Sequence, residues 1–163
     1  MQIWAGLGNP GDSYALHRHN VGFMAADIIA EVHGFGPWQK KFRSLVAEGR
    51  IGRSKILLLK PQVYMNRSGE AVAEALRFYK LDLGALTAFH DELDLAPMKV
   101  KVKVGGGTAG HNGLRSIDSH LGPDFRRVRI GIGHPGHKDR VTPHVLGNYA
   151  KSEIEPLSDL LAA

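Results

Sequence analysis

Residues 99–132, KVKVKVGGGTAGHNGLRSIDSHLGPDFRRVRIGI, join two strand patterns through a helical one. Lysine and valine alternate strictly over residues 99–104, which predicts a half-exposed β-strand. After a run of glycines, the apolar spacing of residues 114–121 predicts a short helix, and residues 128–132 alternate again as a second strand. A strand, a helix and another strand in this order are typical of α/β folds.

The rest of the chain shows the same interleaving of strands and helices. The patterns predict strands, helices and a hairpin as follows: strands over residues 2–7 and 86–90, helices over 21–32 and 68–79, and a hairpin formed by 44–50 and 54–60. We therefore predict one domain, residues 1–163, folded as a three-layer α/β/α sandwich around a mixed, mostly parallel sheet. Residues 152–163 begin a helical pattern and then stop, so we expect this C-terminal helix to be truncated.

Composition excludes several classes of function. The 163 residues include no cysteine, so disulfides, thiolate catalysis and cysteine-ligated zinc are excluded. The first residues carry no basic segment typical of a secretory signal, and no apolar run approaches the roughly 20 residues of a membrane helix. We expect a cytoplasmic protein that does not enter the membrane.

The positive charge is concentrated in one part of the chain. Residues 99–140 contain nine lysines and arginines but three acidic residues, so this segment carries +6 while the whole chain carries +5. A local excess of basic residues favours a polyanionic partner such as RNA. A basic surface that simply faces solvent remains the alternative.

Polar clusters stand where predicted strands end and helices begin, which is where ligands bind in α/β sheets. They contain histidine, asparagine and carboxylate side chains, and no serine lies in a Gly-x-Ser-x-Gly elbow. A histidine can take a proton from water, a carboxylate can fix its tautomer, and an asparagine amide can donate to an oxyanion. These residue types suffice to hydrolyse an ester by direct attack of water.

Other interpretations of these clusters stay open. The glycines of residues 105–110 could bind a phosphate through backbone N–H groups, although the Gly-Lys-Ser/Thr ending of a P-loop is missing and a purely structural turn competes. Residues 90–94, HDELD, do not predict a metal site, because neighbouring strand residues point to opposite faces. His17 is the nearest rival to His19 as a base, and His111 is expected to be a scaffold or rim residue.

Six motifs in one order resemble bacterial-type peptidyl-tRNA hydrolase along nearly the whole chain. They are residues 6–11 (GLGNPG) followed by Tyr14, 18–22 (RHNVG), 60–66 (KPQVYMN) with 68–69 (SG), 90–94 (HDELD), 105–107 (GGG) with 110–115 (GHNGLR), and 129–135 (RIGIGHP). The resemblance implies a single-domain α/β/α fold that is monomeric and works without a metal or other cofactor. It also implies cleavage of the ester that joins a peptide to the 3′ end of tRNA.

The resemblance assigns four catalytic residues. His19 matches the catalytic base, and Asp91 matches the acid that orients His19 and keeps it basic. Asn112 matches a residue that positions the substrate or water and supports the oxyanion. Asn9 matches the residue that distinguishes N-blocked peptidyl esters from free aminoacyl esters.

The resemblance also assigns five binding residues. Tyr14, Tyr64 and Asn66 match positions that line the groove for the peptide and the tRNA 3′ end. Lys103 and Arg129 match basic positions proposed to hold a tRNA phosphate, in agreement with the basic segment. For Asn66 an alternative remains, which is that it caps the helix that follows.

Two other functions compete with this one. A non-catalytic RNA-binding relative of the same fold would keep the basic segment but would not need His19, Asp91 and Asn112, and all three are present. A hydrolase of small esters or nucleosides would not need the basic segment. The chain also departs from the family pattern at His17, where threonine is common, and a charge there would act on His19 by repulsion.

Overall fold

The computed structural model describes residues 1–150, 152–154, 157 and 161. The strands are β1 (Gln2–Gly6), β2 (Gln39–Lys41), β3 (Ser44–Ile51), β4 (Ser54–Pro61), β5 (Leu86–Glu92), β6 (Val100–Val104) and β7 (Arg126–Gly131). The α-helices within residues 1–150 are α1 (Val21–Val32), α2 (Ser68–Phe78), α3 (Asn112–Leu121) and α4 (Val141–Val145). These bounds confirm the predicted strands, hairpin and helices, with shifts of one or two residues at most ends.

All seven strands form one mixed sheet in the order β2-β3-β4-β1-β5-β7-β6. Strands β4, β1, β5 and β7 pair in parallel, while β3 pairs antiparallel with both β2 and β4, and β6 pairs antiparallel with β7. Five of the seven strands therefore run in the same direction. The mixed, mostly parallel sheet predicted from the sequence is confirmed.

The sheet buries apolar side chains on both faces, which gives the three layers. On one face, strand residues such as Leu57 and Leu59 pack with Leu76 of α2 and Ile117 of α3. On the other face α1 covers the sheet, and its Ala25 packs in a cluster with residues of β5 and β7. Burial of these side chains removes apolar surface from water on both sides and holds the helices against the sheet.

Strand β6 differs from the expectation. A half-exposed strand was predicted, but all five residues of β6 are exposed, and Val102 keeps 63% of its surface accessible. The reason is its position: β6 is the last strand of the sheet and has only β7 as a neighbour. Val100 and Val102 line an apolar groove of about 530 Å³ together with Ile29 of α1.

The carboxyl ends of β1, β4 and β5 meet at one edge of the sheet, and the polar clusters follow these ends. The first turn of α1 lies directly on the sheet, because a Cβ at Gly6 would come within 2.2 Å of the Gly22 carbonyl oxygen. This close approach, which requires glycine, brings the residues just before α1 to the end of β5.

Residues 152–154 are helical, as predicted for the start of the last helix. Most of the predicted helix of residues 152–163 lies outside the described residues. Within the part of the chain that the structure describes, every helix is too short or too polar to cross a membrane.

Candidate active site

Asp91 lies between two histidines at the end of β5. One carboxylate oxygen, Oδ2, lies 2.8 Å from Nδ1 of His19, and the other, Oδ1, lies 2.7 Å from Nε2 of His111. All three side chains are largely buried, and Asp91 is 4% exposed. His19 is brought here by the 3₁₀ turn Arg18–Asn20 that precedes α1, and His111 by the start of α3.

The hydrogen bonds fix the tautomer of both imidazole rings. Nδ1 of His111 accepts from the backbone N–H groups of Gly113 and Leu114, at 3.1 and 3.2 Å, so this nitrogen carries no proton. Nε2 of His111 therefore donates to Asp91. Nδ1 of His19 also donates to Asp91, which leaves the lone pair of its Nε2 free to accept a proton. His19 thus has the tautomer of a general base.

Asp91 stays ionised at pH values well below those at which an aspartic acid usually takes up a proton. Burial on its own would raise the pKa of Asp91, but the positive charges that His111 and His19 can carry, together with hydrogen bonds from both rings, outweigh it and lower the pKa. A permanently charged carboxylate can stabilise the imidazolium that forms when His19 takes a proton.

His90 precedes Asp91 and is 1% exposed. Burial, and then the nearby His111, lower the pKa of His90 from 6.5 to about 4, so its ring is neutral at physiological pH. Nδ1 of His90 lies 2.8 Å from the backbone carbonyl oxygen of Asp91, and because a carbonyl only accepts, this nitrogen carries the proton.

The lowered pKa of His90 predicts a loss of stability on acidification. Between pH 6.5 and 4 His90 is protonated in the unfolded chain but remains neutral in the folded protein. The free energy of unfolding should therefore fall by roughly 3 kcal/mol from this residue alone as the pH drops across that window. Urea titrations at several pH values should show a shallower fall for His90→Asn than for the wild type. Equal slopes would contradict the assignment.

Two asparagines tie three loops of the site together. The side chain of Asn20 accepts from the backbone N–H of Asn9 at 2.9 Å and donates to its carbonyl at 2.8 Å. Oδ1 of Asn9 accepts in turn from the backbone N–H of Met65 at 2.7 Å. This bond fixes the orientation of the Asn9 amide and leaves its NH₂ group as a donor for a ligand.

Asn112 and Asn66 occupy exposed positions at the starts of two helices. Asn112 is the first residue of α3, next to His111, and lines the same cavity as His19. Asn66 lies in the 3₁₀ turn Met65–Arg67 before α2. The alternative role of Asn66 as a helix cap is wrong, because the residue before α2 is Arg67 and it makes no side-chain capping bond.

A cavity of about 620 Å³ opens beside His19, and Lys103 and Arg129 line its wall. Arg129 is already paired there, because its Nε donates to Oε1 of Glu92 at 3.0 Å. The two terminal nitrogens of this guanidinium make no hydrogen bond to the described residues, and Lys103 likewise has no acidic partner among them. The cavity therefore offers donors and positive charge to an anionic ligand.

Arg127 belongs to the basic segment of the sequence but does not reach the surface. It is 2% exposed, and its guanidinium donates to the carbonyl oxygens of Gly106, Gly107 and Pro123. Burial lowers the pKa of Arg127. Arg127 therefore supports the glycine loop, and the basic surface is one charge smaller than the sequence suggests.

Tyr14, Tyr64 and His17 form a row of rings outside the cavity. Tyr14 meets Tyr64 edge-on at 6.3 Å between centroids and His17 at 5.3 Å, and Tyr64 is 59% exposed. Burial, and then the nearby His19, lower the pKa of His17. Unlike His19, His17 has no carboxylate partner among the described residues, so it lacks the arrangement of a base.

His19, Asp91 and His111 offer three possible metal-ligand atoms within 4.8 Å of one another. The chemistry of His111 argues against a metal there. To bind an ion through Nε2, the ring would need its proton on Nδ1, which faces two backbone N–H donors. The three side chains fit a hydrogen-bonded network better than a metal site.

The structure brings the sequence-predicted residues to two adjoining places. His19, Asp91, Asn112, Lys103 and Arg129 line the cavity. The other four, Asn9, Tyr14, Tyr64 and Asn66, lie beside it. Asn9 is hydrogen-bonded to Asn20 and Met65, Tyr14 packs against Tyr64, and Asn66 follows Met65 in the chain.

Sequence reasoning missed the parts played by His111 and Asn20. His111 was expected to be a scaffold or rim residue, yet it bonds directly to Asp91. The available signal was its place before a helix start, since an imidazole there can accept from backbone N–H groups. Asn20 stood beside His19 in the sequence, but its bonds to Asn9 are contacts that only the fold creates.

Comparison with known proteins supports one family. Residues 3–163 match the family model described as Peptidyl-tRNA hydrolase. The chain is 74% identical over 163 residues to the peptidyl-tRNA hydrolase of Novosphingobium aromaticivorans and 69% identical to that of Rhizorhabdus wittichii, covering all of this chain and 85% and 86% of theirs. A crystal structure of peptidyl-tRNA hydrolase from Acinetobacter baumannii superimposes with a TM-score of 0.92 at 42% identity, covering 99% of this chain and 83% of the other.

Proposed function

Because this chain belongs to the peptidyl-tRNA hydrolase family, we propose that His19 activates the water that cleaves the ester between the peptide and the 3′ end of tRNA. The observation that carries the proposal is the 2.8 Å hydrogen bond from Nδ1 of His19 to Asp91, which leaves Nε2 as an acceptor beside the cavity. Water held at Nε2 would lose its proton to His19 as it attacks the ester carbonyl. The imidazolium would then return the proton to the departing ribose oxygen.

Asp91 and His111 support this step without touching the substrate. Asp91 is ionised and stabilises the imidazolium, and His111 holds the second carboxylate oxygen so that the first stays on His19. His111 also accepts hydrogen bonds from backbone N–H groups in the first turn of α3. The network therefore joins the base to the helix that carries Asn112. We therefore count His111 as a positioning residue.

Asn112 is suited to donate its side-chain NH₂ to the oxyanion. It lies next to His111 and lines the cavity, and it is exposed. Removing one oxyanion donor typically lowers turnover roughly 10²- to 10³-fold. We expect a loss of this size in kcat for Asn112→Ala, measured as release of N-acetylaminoacyl groups from tRNA. Asn66→Ala removes an amide from a proposed binding position in the adjoining loop and should therefore act on KM more than on kcat. An Asn112→Ala enzyme with wild-type kcat would contradict the role.

Selectivity for N-blocked substrates follows from the fixed amide of Asn9. Because the bond from Met65 fixes the orientation of the Asn9 amide, its NH₂ group is left as a donor, which suits a peptide carbonyl. A free aminoacyl ester carries an ammonium group instead, which cannot accept from that donor and is costly to desolvate. Tyr14, Tyr64 and Asn66 would line the path of the peptide and the tRNA 3′ end beyond Asn9.

Lys103 and Arg129 would hold a tRNA phosphate, which separates this function from hydrolysis of small esters or nucleosides. Phosphate contacts release counterions, so kcat/KM should fall steeply with salt. The Lys103→Ala variant should lower the slope of log kcat/KM against log salt by about one. Lys55, exposed at the opposite edge of the sheet near the start of β4, provides a control whose alanine variant keeps the slope. A small-ester hydrolase would show no such slope.

We further propose that residues 1–163 form a single domain that works as a monomer in the cytoplasm, without a metal or other cofactor. The tautomer of His111 supports the metal-free mechanism, and the substrate, a product of translation, supports the location. The alternative of a non-catalytic RNA-binding relative gains no support, because the bond between His19 and Asp91 is formed.

A further inference from the structure

The ladder of hydrogen bonds between β1 and β5 breaks just at Asp91. The backbone N–H of Leu7 donates to the carbonyl of Phe89 at 3.0 Å. In a parallel pair, the next such bond would run from Asn9 to Asp91, two residues further on each strand. The N–H of Asn9 instead donates to the side chain of Asn20. The carbonyl of Asp91 therefore loses its expected partner in the sheet.

The imidazole of His90 replaces the missing donor. Its Nδ1–H donates to the carbonyl oxygen of Asp91 at 2.8 Å. This bond carries a cost, because Nε2 of His90 is buried and has no hydrogen-bond partner among the described residues. A phenylalanine would pack at a buried position without an unpaired nitrogen, so the benefit of histidine here lies in its donor.

His90 also contacts the second histidine of the network. Its ring meets that of His111 at 5.2 Å between centroids and 68° between planes. His90 therefore contacts Asp91 through the backbone and His111 through its ring, and only 1% of its surface is exposed at the wall of the cavity beside His19.

We propose that His90 is a positioning residue of the hydrolytic reaction: its Nδ1–H holds the backbone of Asp91 so that the carboxylate keeps both His19 and His111. This inference rests on the proposed function. If the backbone of Asp91 shifts, the bond to His19 lengthens, the imidazolium loses stabilisation and His19 becomes a weaker base.

Two variants separate the donor from the packing. His90→Phe keeps a ring but removes the donor, while His90→Asn places its side-chain NH₂ near the position of Nδ1. We expect His90→Phe to lower kcat about tenfold with KM changed less than twofold, and to move the acid limb of the kcat/KM profile to lower pH. His90→Asn should recover most of the kcat and restore the limb. The titratable groups around this network in both variants include Asp91 and Glu92 from β5, His111 before α3, His17 from the loop of His19 and Tyr149 beyond α4.

A matched control tests whether lost stability alone explains the result. Phe89→Leu alters the neighbouring buried residue of β5, and we expect it to lower the Tm while leaving the acid limb in place. If His90→Phe lowers only the Tm and its limb stays with the wild type, or if His90→Asn loses as much kcat as His90→Phe, the positioning role is wrong. A wild type that fails to release N-acetylaminoacyl groups would overturn the proposed function itself, a separate outcome.

Discussion

Replacing His19 with alanine is expected to lower kcat for release of N-acetylaminoacyl groups from tRNA by roughly 10³- to 10⁴-fold. His19 lines the cavity, and its Nδ1 is held by an ionised carboxylate, which leaves Nε2 as the proton acceptor. Its removal takes away the acceptor for the proton of water, while the donors that bind the substrate remain. KM should therefore change far less than kcat.

Two comparisons make the result of His19→Ala specific. Added imidazole should restore part of the activity to His19→Ala, because the small base can enter the space left by the ring. His17→Ala, two residues away, should keep kcat within about threefold of the wild type, since His17 has no carboxylate partner among the described residues. Near-normal kcat for His19→Ala, or a larger loss for His17→Ala, would assign the base to another residue.

The Asp91→Asn variant is expected to lower kcat by roughly 10³-fold, because it places the proton of the His19 ring on the wrong nitrogen. The asparagine has one oxygen and one NH₂ group to share between two histidines. His111 can only donate through Nε2, because its Nδ1 accepts from Gly113 and Leu114. The oxygen will therefore face His111 and the NH₂ group will face His19. His19 must then accept at Nδ1, so its proton moves to Nε2 and the base is lost.

A second substitution tests this explanation of Asp91→Asn. With His111→Ala added, the asparagine is free to turn its oxygen towards His19 and restore the correct tautomer. We expect the double variant to be more active than Asp91→Asn alone, in a non-additive cycle measured by kcat. If the two losses simply multiply, or if Asp91→Asn alone keeps wild-type kcat, the two-histidine network does not set the tautomer of His19.

Much of the fold could be predicted because each element carries its own pattern. The apolar spacing of α1 and the alternation in β7 are local properties of the sequence, and the chain folds accordingly. The exposure of β6 could not be predicted in the same way. Alternating lysine and valine indicates a strand with one apolar face, but whether a neighbouring layer covers that face depends on the position of the strand in the sheet.

The candidate site likewise has residues that could be predicted from the sequence and contacts that could not. His19, Asp91 and Asn112 could be named from residue types and motifs. The second bond of Asp91, to His111, could not, because the two residues are 20 positions apart and meet only when α3 packs beside β5. The burial of Arg127 could not be predicted either, because the sequence of a basic segment does not show which of its side chains is buried against a loop.

The most direct test of the central claim compares the wild type and His19→Ala on N-acetylaminoacyl-tRNA and on unblocked aminoacyl-tRNA in one assay of acyl release. We predict that the wild type releases the blocked group and leaves the unblocked ester intact, and that His19→Ala releases neither at a comparable rate. Release of the blocked group by His19→Ala at the wild-type rate would contradict the account of a water activated by His19.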